Sequence, residues 1–444
     1  MRPRRTYRLT GGLAAAGLVV FCAAPAAPQD AGGLEAKLRF SQRLTQEDST
    51  LSTTTGLGVT LSSRTRTETF LFSVDSGLEQ DFDGSSMVQK DPRVMLSYGR
   101  ESISSALSTD FSYSRTDVDS ISEDDDLADG VLELDEGLLQ RYSGKLFLEL
   151  GRDAPFGATV DLGYSAKVYS ETSNSGLLDE EKANATLALR FDLDPRITAG
   201  LRSSISETDR DDPGQDVRSE SVGGTLGFGV TQTLSADAYL GYSRVTETVP
   251  GLPDDIQKGL AYTLSFTEQR PNGDLSGSLS SDIDEAGRRT IARIDRNLEL
   301  PGGALRAGVG VSTSEDDTLR PLLSFAYNHG LPRGTFGMKL DQAFSTDSDG
   351  EEALNSNFGV TYRQELTPLS SLQAGLILRD TDFVSDDDSD KRKLQLDLVY
   401  RHSLAQDWNV VGGYSHSISD RSSDDREYSS KVFIGLEKAT QWRF

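Results

Sequence analysis

The chain of 444 residues carries 45 basic against 70 acidic side chains, a formal charge of −25. Charge of that sign gives no bulk attraction for nucleic acid or anionic lipid. With 36% hydrophobic residues and a mean hydropathy of −0.42, a bundle of membrane-spanning helices is excluded; a membrane β-barrel, apolar only at alternate residues, and a secreted acidic β protein are not.

The N-terminus reads as an export signal. Arg2, Arg4, Arg5 and Arg8 precede the small and apolar run Gly11 to Ala24, and Ala24-Pro25-Ala26 follows as a cleavage pattern. Residues 1–26 are expected to be a cleaved signal peptide and 27–33 a short periplasmic linker. A single anchoring helix is the alternative, but the run is short and no stop-transfer charges follow. Cys22, the only cysteine, lies inside the signal, and Phe21 before it does not suit a lipobox. The processed chain then has no thiol, disulfide or zinc–cysteine chemistry. Without the four signal arginines, 41 of the 45 basic residues remain against 70 acidic ones.

From residue 34 onward the apolar period is two. Phe156, Ala158, Val160, Leu162 and Tyr164 alternate with Gly157, Thr159, Asp161 and Gly163; Ala183 to Leu193 and Leu394 to Tyr400 behave alike. Helical spacing is absent from these stretches. Tight connections such as Asp194-Pro195, Pro271-Asn272-Gly273 and Pro301-Gly302-Gly303 take turns with longer acidic ones such as 209–216, 347–352 and 386–390. Short turns on one rim and charged loops on the other describe an up-and-down barrel. The pattern predicts about 22 strands, beginning 34–46, 51–62, 68–82 and 93–102 and ending 390–406, 407–423 and 427–444. Strands near 288–300 and 303–317 alternate poorly, as Arg293 and Asp295 against Ile291 illustrate.

The last strand alternates Tyr428, Val432, Ile434, Leu436 and Trp442 with Lys431, Gly435 and Glu437, and it ends on Phe444. This ending resembles the C-terminal signature of Gram-negative outer-membrane β-barrel proteins of the porin-like kind. The resemblance implies an all-β fold, a transmembrane up-and-down antiparallel barrel over 34–444. It also implies residence in the cell outer membrane among lipid and lipopolysaccharide, and Phe444 as an assembly signal for the barrel-assembly machinery. Barrels of this width among the TonB-dependent transporters carry a plug domain before the barrel. Strands here are expected directly after the signal, so no plug domain is expected and no siderophore function is carried over.

Chemistry is sparse. His329, His402 and His416 are the only histidines; the last two share register with Tyr400 and Tyr414, as members of an interfacial aromatic girdle would. No nucleophile–base–orienter constellation is legible, so no enzyme is expected. Asp347-Ser348-Asp349-Gly350 resembles a calcium loop but lacks ligands at Ser345 and Ser356. No cofactor or metal site is expected. The remaining lead is the charge in the non-lipid register: Lys145, Glu149, Asp161, Lys167, Arg190, Asp192, Lys339, Asp341, Arg363, Glu365, Lys393, Asp397 and Arg401. These side chains either pair across strands or line an aqueous route. The expected function is porin-like passage of hydrophilic solutes. Export of a secreted polysaccharide and a non-conducting structural or adhesive barrel stay open beside it. A ring this wide is expected to be narrowed by loops, inward side chains or flattening.

Overall fold

Alternation at period two builds one closed sheet. The computed structural model describes residues 33–82, 87–122, 131–211, 214–314, 319–346, 352–383, 390–405, 407–421 and 426–444. The expected signal and nearly all of the linker lie outside them. The strands are β1 (Leu34–Glu47), β2 (Thr50–Arg64), β3 (Glu68–Asp81), β4 (Met87–Glu101), β5 (Ser105–Asp117), β6 (Leu138–Leu150), β7 (Phe156–Ser170) and β8 (Glu180–Asp194). Then come β9 (Ile197–Arg210), β10 (Gln215–Gly229), β11 (Leu234–Thr248), β12 (Asp255–Arg270), β13 (Gly273–Asp284), β14 (Gly287–Leu300) and β15 (Gly303–Thr313). The ring is completed by β16 (Leu319–Leu331), β17 (Gly334–Thr346), β18 (Glu352–Thr367), β19 (Ser370–Phe383), β20 (Lys391–Ala405), β21 (Trp408–Arg421) and β22 (Glu427–Arg443). Each strand pairs antiparallel with the next, and β22 pairs with β1 from Glu35↔Arg443 to Glu47↔Lys431. All 22 strands therefore close into a barrel without a free edge, and no described residue is helical.

The two registers separate as the sequence implies. Leu240, Leu260, Leu226 and Ile434 are more than half exposed, as lipid-facing chains are when only protein surrounds them. Tyr400 stacks on His402 at 6.4 Å and Tyr414 on His416 at 6.4 Å in that same outer register. Most strand bounds fall within two or three residues of expectation. The exception is β4, which starts at Met87 instead of 93: Asp91 adopts φ 45° and the β3–β4 register shifts between Asp75 and Gly77. A bulge reverses the alternation at that point and hides the strand's first turn. β15 ends at Thr313, short of the expected 317.

At the long-loop rim the ladder stops early in three places. β4–β5 pairing ends at Arg93↔Ser114, β12–β13 at Tyr262↔Ser281, and β16–β17 at Ser324↔Asp341. Beyond each point the strands overlap instead of pairing. Ile283 shares the outward register of Leu279, yet it packs on Val217 and Val245, which share the inward register of Gly223 and Gly241. The β13–β14 tip therefore lies inside the β10–β12 wall. Arg320, in the inward register of Ser324, contacts Asp382, in the register of Leu376, which pairs with the exposed Leu396. The ends of β17–β19 in turn lie inside β16. Lys90, which pairs with Gly77 on the inner side, contacts Asp117, in the register of the exposed Phe111. The mouth thus curls inward like a scroll.

Backbone groups stripped of ladder partners must find others. Arg288 donates to the Leu260 carbonyl at 2.8 Å, and the Leu323 amide donates to Gln342 Oε1 at 2.9 Å. Amides two residues apart on a strand point the same way, so an amide hydrogen at position 321 would also face β17. Pro321 has none, which suits a strand edge that pairs with nothing.

Candidate functional site

The scroll fills the mouth from two sides. From one side comes the β5–β6 connection, described at 118–122 and 131–137. It is acidic but interrupted by Val118, Ile121 and Leu132, all buried. Asp119 pairs with Lys393 of β20, which donates to both its carboxylate and its carbonyl. Glu133 pairs with Lys391 at 2.8 Å and Asp135 with Arg421 at 3.2 Å. Between these ion pairs the Leu132 amide donates to Thr381 Oγ1 at 3.1 Å; Thr381 donates to Asn355 Oδ1 at 2.6 Å, and Asn355 to Ser345 at 2.7 Å. Thr381 and Asn355 are fully buried. A chain of satisfied polar groups without water access holds its members in one geometry, so the connection is docked on the far wall.

From the other side comes the β13–β14 tip. Both terminal nitrogens, Nη1 and Nη2, of the buried Arg210 donate to Glu285, at 3.1 Å each; its Nε donates to Glu180 at 3.3 Å and its Nη1 also to Gln215 at 3.1 Å. Arg289 holds Glu352 at 2.6 Å with its guanidinium 4.5 Å above the Phe344 ring. Two-pronged arginine–carboxylate contacts fix orientation as well as charge. Toward the short-turn rim the inner face of one wall is indented. A cavity of about 510 Å³ lies between β9 and β12, lined in part by Arg196, Thr198, Thr225, Asp237, Tyr239 and Thr263. The Tyr239 ring lies flat against the wall because Gly223 and Gly241 leave room for it.

The sequence-predicted charges all fall in the inner register, and their surroundings differ. Lys145, Asp161, Asp192, Arg363, Glu365 and Arg401 are exposed there. Glu149 pairs with Arg152 at 2.9 Å, Lys167 with Glu180 at 3.7 Å, Arg190 with Asp192 at 3.5 Å and Lys339 with Asp341 at 3.2 Å. Arg363 donates to Gln373, Asp397 accepts from Gln395, and Arg401 meets Glu437 at 3.0 Å. Lys393 alone is buried, under Asp119. The Phe444 amide donates to the Leu34 carbonyl at 2.9 Å while its side chain stays exposed. The cluster around Arg210, Glu285, Arg289 and Glu352 went unnoticed in the sequence, as did Asn355 and Thr381. Apolar residues inside an acidic loop are a local signal for the docked β5–β6 connection, and Pro321 inside a strand is one for the unpaired β16–β17 edge.

Among the described residues no group of three or more metal-ligating side chains occurs. The Asp347–Gly350 motif lies outside the described residues. His329 stacks on Tyr327 at 6.0 Å, and His416, in the outer register, has its Nδ1 2.9 Å from Ser430 Oγ.

No protein-family model and no curated protein matches this sequence. Solved structures do. The ferric-catecholate import receptor Fiu of E. coli K12 aligns over 93% of this chain and 82% of its own, with 8% identity and a TM-score of 0.54. The siderophore receptor PiuA of Acinetobacter baumannii aligns over 93% and 82%, with 10% identity and a TM-score of 0.55. The FrpB iron transporter of Neisseria meningitidis aligns over 93% and 83%, with 8% identity and a TM-score of 0.55. These are TonB-dependent outer-membrane receptors, and at such identity the likeness is one of fold. Their barrels hold a plug; among the described residues here no plug is present, and the barrel's own strand ends and the β5–β6 connection occupy the mouth. The closed 22-strand ring and its belt of exposed apolar chains place the protein in the cell outer membrane.

Proposed function

We propose that this chain is an outer-membrane channel that passes hydrophilic solutes along its polar interior. The observation that carries the proposal is an inner register rich in hydroxyl, glycine and charged residues, with a cavity of about 510 Å³ on it between β9 and β12. Such a lining solvates a polar solute in transit and holds none tightly. Because charges of both signs alternate there, selectivity at the barrel centre is weak. In this reading residues 1–26 direct export, the acidic loops face outward among lipopolysaccharide, and the Phe444 end meets the barrel-assembly machinery. The solved structures of like fold include an import receptor and an iron transporter, which fits a barrel that moves solute.

The filled mouth favours a second reading, a barrel that is closed at rest and does not conduct. Reconstitution separates the two. Discrete conductance steps in planar bilayers, together with swelling of liposomes in small sugars, are the expected result. Purified, heat-modifiable protein that gives neither would end the channel reading.

A further inference from the structure

Opening a wall of this kind by ordinary means would break ladder hydrogen bonds. Among the described residues the ladders do not extend into the three overlaps. Ile283 meets Val217 and Val245 through side chains alone, and Gly259 lies directly beneath Ile283 Cδ1 and Arg288 Nη2. Arg210–Glu285 and Arg289–Glu352 clasp the tip from its two sides. Strand ends held by clasps, with no register to keep, slide more readily than paired ones.

We propose that the overlapped ends of β12–β13 and β16–β17 slide past each other, so that the mouth widens without unzipping the barrel. The inference rests on the reading of the barrel as a passage and adds the device that regulates it. The body of the sheet, from Tyr262↔Ser281 and Ser324↔Asp341 down to the short turns, stays paired and serves as the fixed frame.

The test uses the full chain in liposomes, with heat-modifiable migration as the control for folding. In a Cys22→Ser background, Val245→Cys places a single thiol under Ile283. A maleimide should label it in the folded barrel, and about tenfold faster once Glu285→Gln loosens the clasp, the factor expected for one charge-assisted contact. Val245→Cys with Ile283→Cys should form a disulfide that stops solute influx, and reductant should restore it. A thiol at 245 that stays unlabelled in the folded protein with and without Glu285→Gln overturns the sliding mouth, as does equal influx in the oxidised and reduced double variant. Labelling that responds to Glu285→Gln while neither the reduced variant nor the unaltered chain admits solute keeps the sliding ends and removes the channel.

Discussion

Lys393 of β20 and Asp119, two residues past the end of β5, form an ion pair between segments 274 positions apart. The pair lets a connection rooted at β5 and β6 rest on the opposite wall. Lys393 is nearly inaccessible and donates to the Asp119 carbonyl as well as to its carboxylate.

Lys393→Met should keep the packing of the stem and remove both bonds. Charge-assisted bonds of this kind contribute about 1.5–3 kcal/mol, so docking of the connection should weaken by roughly tenfold or more. Limited proteolysis within 118–137 should accelerate by that factor while the barrel body stays resistant. Unchanged cleavage would mean that the connection is held by its apolar residues alone.

Thr381→Val tests the buried polar chain. Valine matches threonine in shape but leaves the Leu132 amide and Asn355 Oδ1 without their partner. Taking the partner from a buried donor such as the Leu132 amide costs about 1–3 kcal/mol, so the temperature at which the barrel loses its compact gel migration should fall by several degrees. Thr381→Ser, which keeps the hydroxyl, should recover most of the loss. Equal behaviour of the two variants would show that the hydrogen bonds carry little.

The ring and its strand order were legible because alternation and proline-rich turns are local signals. The deviations were legible only in part. Poor alternation near 288–300 and 303–317 has a physical cause: Ser281, Arg288, Thr290 and Thr313 occupy the outward register at the height where β13–β15 have left the membrane face and curled inside. The inner register of the thirteen charged candidates followed directly from period two. Their partners did not, because contacts such as Lys391–Glu133 and Arg421–Asp135 join positions whose proximity depends on closure of the whole ring. Glu285 and Arg210 carry no local pattern at all, because their contact joins positions 75 residues apart through the curl of the β13–β14 tip.

The seam that closes the barrel offers another test. Glu437 of β22 accepts from Arg43 of β1 at 2.9 Å and from Arg401 of β20 at 3.0 Å, and its own side chain is largely covered. Glu437→Leu would leave two guanidinium groups facing each other without a counter-charge. Removing one member of a covered ion cluster costs about 3–5 kcal/mol, a value reduced here because both arginines remain about half exposed to water. The expected readout is slower assembly into the heat-modifiable form and a lower unfolding temperature. Arg43→Leu with Glu437→Leu should be less harmful than Glu437→Leu alone. If the double variant is the worse of the two, the cluster does not act as an electrostatic clamp on the closing strands.

Gly259 reports on the overlap at β12–β13. A β-carbon there would lie 2.5 Å from Arg288 Nη2 and 3.2 Å from Ile283 Cδ1. Both are the far ends of flexible side chains, so Gly259→Ala is partly absorbed, whereas the branched side chain of Gly259→Val leaves the tip no room to stay tucked. Overpacking of this order costs about 1–3 kcal/mol, and releasing the tip relieves it. Displacement breaks the Arg288 bond to the Leu260 carbonyl and exposes the Arg288-Arg289 pair. Trypsin should then cut at that pair in the folded Gly259→Val variant, with Gly259→Ala intermediate and the unaltered chain resistant. Equal resistance in all three would mean that the tip does not lie against the inner face of β12, and the curled mouth would have to be redrawn.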